Sequence, residues 1–139
     1  MKILVSACLL GENCKYNGSN NYNAAVAAYV KDKDVLTLCP EMIAGMGCPR
    51  TPIEIVDGVL IDRNGNNVDD PLRKAVATAL DQITQENIQR AILQSRSPTC
   101  GVNQVYDGSF SGKLITGSGV FAQALMDAGY QVIDAEDIP

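Results

Sequence analysis

The chain has 139 residues, a formal net charge of −5, 46% hydrophobic and 19% charged residues, five cysteines and no histidine. A chain of this length buries about 68–70% of its unfolded surface, so a core forms without disulfide staples, and five cysteines without framework spacing argue against a disulfide scaffold. The acidic balance excludes a general grip on a nucleic-acid backbone, which needs a basic patch, though not one nucleobase in a pocket, and no apolar run approaches the ~20 residues of a membrane span.

Residues 2–6 read as a buried first strand. The apolar stretch Ile3, Leu4, Val5 stops at Ser6 and no small-residue cleavage site follows a long apolar region, so a signal peptide is not expected and a cytoplasmic location is. A polar loop runs to Asn21, and a helix is predicted over 22–30, where Ala24, Ala25, Val26, Ala27 and Ala28 give high propensity. Residues 35–38 form the second strand. The stretch 39–52 holds three prolines and two glycines and reads as a shaped loop. A hairpin follows, 53–56 and 59–62 around Asp57-Gly58. After a turn at Asn64-Gly65, a helix is predicted over 70–85, capped by Asp69 or Asp70 with Pro71 at its first position. Leu72, Val76, Ala79, Leu80 and Ile83 recur at helical spacing and form its buried stripe. Residues 88–93 give a core strand, and Tyr106–Gly112 resembles a hairpin or a hydroxyl-rich turn, the plain turn being the simpler reading. A helix over 120–128 ends at Gly129 in the C′ position, and 130–133 is the last strand. The alternation predicts a single α/β domain over 1–139, with a mostly parallel sheet flanked by helices and a small β-hairpin. Strand order is not legible.

Three cysteines follow apolar runs: Cys8 after Ile3–Val5, Cys39 after Val35–Leu38, and Cys100 in the loop after Ala91, Ile92 and Leu93. If those runs are neighbouring parallel strands, the cysteines share the sheet edge where open α/β folds place ligands. A zinc site is signalled by paired C-x2-C motifs, and none occurs here. Three converging thiolates suit a [4Fe–4S] cluster, which normally takes four cysteines and with three keeps one iron open as a soft Lewis acid. A cysteine nucleophile at Cys39 or Cys100 is the other option; without histidine, a helix N-terminus, an arginine or a lysine has to activate it. Glu41, two residues after Cys39, is a candidate general base, against the plainer role of a surface or capping glutamate. Arg50 and Arg96 lie in the same two loops, as counter-charges for a cluster or anion or as ordinary ion-pair partners. Gly117-Ser118-Gly119 before a helix offers N–H groups to an anion, but it lacks the Walker lysine and the dinucleotide fingerprint, and a tight loop is the simpler reading.

Ser6-Ala7-Cys8-Leu9-Leu10-Gly11 with Tyr16-Asn17-Gly18, Cys39-Pro40-Glu41, Pro49-Arg50, Glu54, Ser97-Pro98-Thr99-Cys100-Gly101, Tyr106-Asp107-Gly108-Ser109-Phe110-Ser111-Gly112 and Gly117-Ser118-Gly119-Val120 fall in order over nearly the whole chain. Together they resemble a bacterial family, long a domain of unknown function, that includes thiouracil desulfurase. The resemblance implies a Rossmann-like domain binding a [4Fe–4S] cluster through Cys8, Cys39 and Cys100. The fourth iron is open to take sulfur from the thiocarbonyl of a thiolated pyrimidine base or nucleoside, and water replaces that sulfur with oxygen. Glu41 and Ser97 are the implied catalytic residues. Arg50, Tyr106, Ser111, Gly117, Ser118 and Gly119 are the candidates to bind substrate. The expected partner is a small thiolated nucleobase or nucleoside, with no membrane or general nucleic-acid partner, and the chain is either a monomer or a homodimer. Asn17 stands where the family usually has aspartate, Gln94 where a lysine precedes the Ser-Pro loop, and Thr99 where serine is usual; Ala44–Cys48 loosens a Gly-Gly-Leu-Pro-Thr segment. Cys14 and Cys48 fall outside the implied ligands, and Cys48 is read as an incidental loop cysteine. The alternatives are a cluster-bearing sulfur-compound binder or sulfur carrier without turnover, and a structural zinc or metal-free α/β binding module.

Overall fold

The structure, a computed structural model, describes residues 2–138. In chain order it contains β1 (Lys2–Ser6), a 3-10 turn (Ala7–Leu10), α1 (Ala24–Val30), β2 (Asp34–Leu38), α2 (Pro40–Ile43), β3 (Ile53–Val56), β4 (Val59–Asp62), α3 (Asp69–Thr84), β5 (Arg90–Leu93), β6 (Gln104–Tyr106), β7 (Leu114–Thr116), α4 (Val120–Asp127), β8 (Gln131–Asp134) and a closing 3-10 turn (Ala135–Asp137). Four strands make one parallel sheet in the order β2-β1-β5-β8. None of the helices among the described residues is long and apolar enough to cross a membrane.

A strand buried on both faces reads as a continuous apolar run, and Ile3, Leu4 and Val5 are all fully buried. Successive residues point to opposite faces. Leu4, Ala91 and Leu93 therefore pack with Val76, Ala79 and Ile83 of α3 and Phe121, Ala122 and Leu125 of α4. Ile3, Val5 and Ile92 pack on the other face with Leu9 and with Val26 and Val30 of α1. In β1, Val5 pairs with Thr37 of β2 and with Ile92 of β5, so the carboxyl ends of these three strands lie level. The chain leaves β1 toward β2 and later returns to its other side with β5. That reversal is the switch point at which an open α/β sheet forms its crevice.

Several expected boundaries move for identifiable reasons. The first helix begins at Ala24, because Asn23 caps it by accepting from the Val26 N–H at 3.1 Å. In α3 neither Asp69 nor Asp70 is the cap; Val68 holds that position, and Pro71 is the third residue. Asp69 instead accepts from the Leu60 N–H at 3.1 Å and from Arg73 at 2.9 Å, tying the helix to the β3–β4 hairpin. The loop 39–52 contains a one-turn helix, α2, with Pro40 at its first position. A second hairpin, β6–β7, encloses the Tyr106–Gly112 segment, which takes the hairpin form of its two readings, with strands of only three residues each. Gly129 does follow α4 with φ of 91°, the left-handed conformation of a C′ glycine.

One close backbone approach fixes the loop after β5. The N–H groups of Val120, Phe121 and Ala122 donate to the carbonyls of Pro98 and Thr99 at 2.9–3.1 Å, and Gly119 N–H donates to Gly101 at 2.7 Å. A Cβ on Gly119 would lie 2.4 Å from the Thr99 carbonyl carbon. Gly119→Ala is therefore expected to lower stability by about 1–3 kcal/mol, as overpacking does. Gly117→Ala, whose Cβ would meet only Val105 at 3.4 Å, is expected to stay within about 0.5 kcal/mol. Paired urea melts check the contrast.

Candidate functional site

Each strand end delivers its cysteine by a different local device. Cys8 lies in the 3-10 turn directly after β1, and Asn21 Nδ2 donates to its sulfur at 3.4 Å. Cys39 is the N-cap of α2 and follows β2 without an intervening residue. Cys100 is held by the hydroxyl of Ser97, which accepts from the Thr99 and Cys100 N–H groups, each at 3.1 Å. All three line one cleft of about 520 Å³, within the usual range of a small-molecule site. Cys14 lines it too, whereas Cys48 does not, its thiol lying 3.0 Å from the Asn13 carbonyl.

Burial dominates the thiols. It pushes Cys100 up to about 12, against a hydrogen bond to Ser6 that pulls the other way, with Cys39 adding a further rise. Burial also raises Cys8, offset by the Asn21 hydrogen bond and reinforced by Cys39. Cys14 is raised by burial and then by Cys39 and Cys8. A reactive nucleophilic cysteine needs the opposite shift. Among the described residues no three cysteine or carboxylate side chains close on a single metal ion. The thiols instead border an open cavity.

Glu41 is buried beside them, and both its oxygens are occupied. Oε1 accepts from Arg50 Nε at 2.8 Å and Oε2 from the Thr99 hydroxyl at 3.1 Å. Arg50 is fully committed as well: Nη1 donates to the Gly47 carbonyl at 2.9 Å and Nη2 to the Cys14 carbonyl at 2.8 Å. It orients Glu41 more than it offers charge to the cleft. Thr99 Oγ1 is also 2.9 Å from Ser97 Oγ. A carboxylate only accepts, so the Thr99 proton points to Glu41 and the Ser97 proton to Thr99. The two predicted catalytic residues are thus the ends of one directed chain, Ser97–Thr99–Glu41.

The hairpins supply another part of the lining. Glu54 on β3 accepts from the N–H groups of Gly108 and Phe110 at 3.0 and 3.1 Å, which pins the 106–112 turn against the first hairpin. Tyr106 and Gly112 line the cleft. Ser111 stands next to Gly112 with its hydroxyl 2.5 Å from that of Ser109. Gly117, Ser118 and Gly119 lie outside the lining. Their donors are used within the fold: Gly117 N–H to Asn103, Ser118 Oγ to Val102 and Gly119 N–H to Gly101. Arg96 reaches the lining but pairs with Glu136 at 3.1 Å. Asn21, Cys14, Lys15, Tyr16 and Arg63 complete the wall. No sequence signal marks them beyond the Tyr16-Asn17-Gly18 motif, since they sit in loops without periodicity.

The chain is similar to known proteins over nearly its whole length. The family model for 2-thiouracil desulfurase matches residues 3–137. The uncharacterised protein YbbK of Bacillus subtilis (strain 168) is 37% identical over 146 residues, covering 98% of this chain and 97% of that protein. The solved structure of the [4Fe-4S]-dependent thiouracil desulfidase TudS superposes with a TM-score of 0.92 at 31% identity, covering 99% of this chain and 93% of that one. The chain belongs to the 2-thiouracil desulfurase family.

Proposed function

We propose that the protein is a desulfurase that hydrolyses the thiocarbonyl of a thiolated pyrimidine base or nucleoside at a [4Fe–4S] cluster held by Cys8, Cys39 and Cys100. The oxygen of water replaces the sulfur, giving a carbonyl, and the sulfur leaves as hydrogen sulfide with both protons of the water. The observation that carries this reading is the meeting of three strand-end thiols and the Ser97–Thr99–Glu41 chain in one cleft. The donor set fits the group. Soft thiols around an open cavity suit a multi-iron cluster, whereas a single tetrahedral ion needs ligands that close on one point. The solved relative that resembles the chain over nearly its full length is described as [4Fe-4S]-dependent. When bound, such a cluster supplies a soft metal centre that prefers sulfur to oxygen and accepts the departing sulfide.

The chain's own residues supply the proton path. Ser97 Oγ already accepts two N–H bonds and donates its proton to Thr99. A water attacking the thiocarbonyl carbon passes its proton to Thr99 Oγ1, which keeps one lone pair free, as Thr99 hands its own to Glu41, while Ser97 fixes the direction of the Thr99 hydroxyl. Glu41 thereby acts as the general base although neither of its oxygens is free. Arg50 holds the carboxylate in that alignment. Tyr106 and Gly112 of the pinned 106–112 turn, which line the same cleft as the thiols, form the substrate wall.

Thr99 offers the cleaner test, because Glu41→Gln also strips Arg50 of its counter-charge, a change costing about 3–5 kcal/mol in a buried pair. Thr99→Ser keeps the hydroxyl relay and is expected to retain turnover of 2-thiouracil. Thr99→Val breaks it and is expected to lower kcat by about 10²–10⁴, the usual worth of general acid–base catalysis, with substrate affinity little changed. Equal kcat in the two variants would rule out the relay. The cluster assignment is checked by iron and sulfide analysis after anaerobic reconstitution. Wild type is expected to hold roughly four of each, as a cubane requires, and a Cys8→Ser, Cys39→Ser, Cys100→Ser variant to hold none. A binder without turnover would keep its iron and bind 2-thiouracil but release no sulfide.

A further inference from the structure

Four carboxylates are buried among the described residues: Glu41, Glu54, Asp62 and Asp134. Glu41 and Asp62 have both oxygens occupied, the first by Arg50 and Thr99, the second by Asn64 and Asn66. Asp134 turns one oxygen to Ser95 and the Glu136 N–H and lies outside the cleft lining. Glu54 differs from all three. It lines the cleft, and only its Oε1 is used, by the Gly108 and Phe110 N–H groups. Among the described residues nothing donates to Oε2, and the ion pairs engage Glu86, Glu41, Asp69 and Glu136 but not Glu54. Oε2 is not sealed in either, since the one solvent-shielded side-chain nitrogen or oxygen without a partner among the described residues is Arg90 Nε. A buried carboxylate with no counter-ion and a free oxygen is costly unless a ligand completes it.

Local structure aims that oxygen. Ile53 packs with Leu60 and Leu72, and strand neighbours point to opposite faces, so Glu54 turns away from that core and into the cleft lining. The 106–112 turn then locks it. Gly108 approaches β3 so closely that a Cβ would lie 2.6 Å from the Ile55 carbonyl oxygen, and Phe110 takes a φ of 56°, an uncommon conformation for a bulky residue. With Oε1 held by two N–H bonds, Oε2 is in place before substrate arrives, which spares binding an ordering cost.

We propose that Glu54 Oε2 reads the ring N–H beside the thiocarbonyl, so that the site selects thiouracil-type rings over thiocytosine-type rings. This rests on the desulfurase reading above and narrows its substrate. In a 2-thiouracil ring, N3 carries a proton next to the thiocarbonyl carbon, and a carboxylate accepts such a donor. In a neutral 2-thiocytosine ring the same nitrogen carries a lone pair. Two acceptors would then face each other, and both would stay unsatisfied after losing their water. Because N3 and the thiocarbonyl are adjacent on the ring, the group that reads one and the thiols that serve the other have to border a single cavity. Glu54, Cys8, Cys39 and Cys100 do so. Glu54 therefore has two separate duties: Oε1 holds the turn, and Oε2 determines specificity.

Glu54→Gln separates those duties. Its amide oxygen can keep the Gly108 and Phe110 N–H bonds while its NH2 group replaces Oε2 and offers a donor to a ring lone pair. The probes are 1-methyl-2-thiouracil and 1-methyl-2-thiocytosine, whose N1 methyl leaves N3 as the ring nitrogen that distinguishes them. Affinity is measured by titration calorimetry and kcat/KM by sulfide release, both on the reconstituted holoenzyme. Wild type is expected to favour the thiouracil by about a hundredfold in both, the worth of a hydrogen bond to a charged group. In Glu54→Gln the ratio is expected to fall to about one or to invert, with the thermal midpoint near that of wild type. Equal losses on both probes, with the ratio unchanged, would overturn the proposal, leaving Glu54 only its hold on the turn and the desulfurase reading intact. Wild type that takes both rings equally would overturn it without recourse to any variant. The expected binding preference without sulfide release would overturn the desulfurase reading and leave the role of Glu54 standing. Wild type that binds neither probe would overturn both.

Discussion

In-register parallel pairing of β2, β1 and β5 is the constraint on which the cleft depends. Ser6 lies opposite Leu38, and Val5 lies between Thr37 and Ile92, so three strands end at one level. The residues immediately beyond, Cys8, Cys39 and the Ser97–Cys100 loop, have no choice but to meet at that edge. Full burial of Ile3, Leu4 and Val5 fixes the register, since a one-residue slip would exchange the residues on the two faces of the sheet. The helices matter to the site mainly through this sheet. The exception is α4, whose first N–H groups hold the Pro98 and Thr99 carbonyls and keep Cys100 in place.

The second organising element is the buried Arg50–Glu41 pair, 2.8 Å apart with both side chains largely out of solvent. Burying two charges is favourable only when further hydrogen bonds complete their shells. Here the Gly47 and Cys14 carbonyls complete the guanidinium and the Thr99 hydroxyl completes the carboxylate. Those same bonds lock three loops together: residues 12–16, 41–50 and 97–101. Charge burial and loop alignment are therefore one feature, which explains why an arginine rather than a lysine serves. A lysine ammonium cannot reach a carboxylate and two carbonyls with a planar fork.

The state of the thiols bears on the chemistry. Burial raises Cys8, Cys14 and Cys100, which leaves them poor nucleophiles at neutral pH but capable ligands once a metal displaces their protons. The absence of histidine from the chain gives the same direction, because soft ligation then falls to sulfur. The replacement of serine by threonine at 99 preserves the hydroxyl on which the Ser97–Glu41 connection depends. Asn17 turns inward on its own loop, accepting from the Ser19 N–H at 3.0 Å. Gln94 keeps a place in the cleft lining without a charge.

Local signals along the chain are enough for the α/β alternation, the strand ends and the candidates Cys8, Cys39, Cys100 and Glu41, while Ser97 enters only through the family resemblance; all five line the one cleft. Continuous apolar runs, turn residues and short motifs carry them. The β3–β4 hairpin and the C′ glycine after α4 are equally legible, because backbone conformation restricts residue choice there. Features that depend on partners distant in the chain emerge only on folding. The order β2-β1-β5-β8, the commitment of Arg50 to Glu41 and to the Cys14 carbonyl, and the entry of Cys14 into the cleft lining are all settled by packing across tens of residues. So is the role of Gly119, whose missing side chain lets α4 approach the Thr99 backbone and not an anion. No periodicity encodes such contacts, because each is made by single residues in loops whose positions exist only once the sheet has formed.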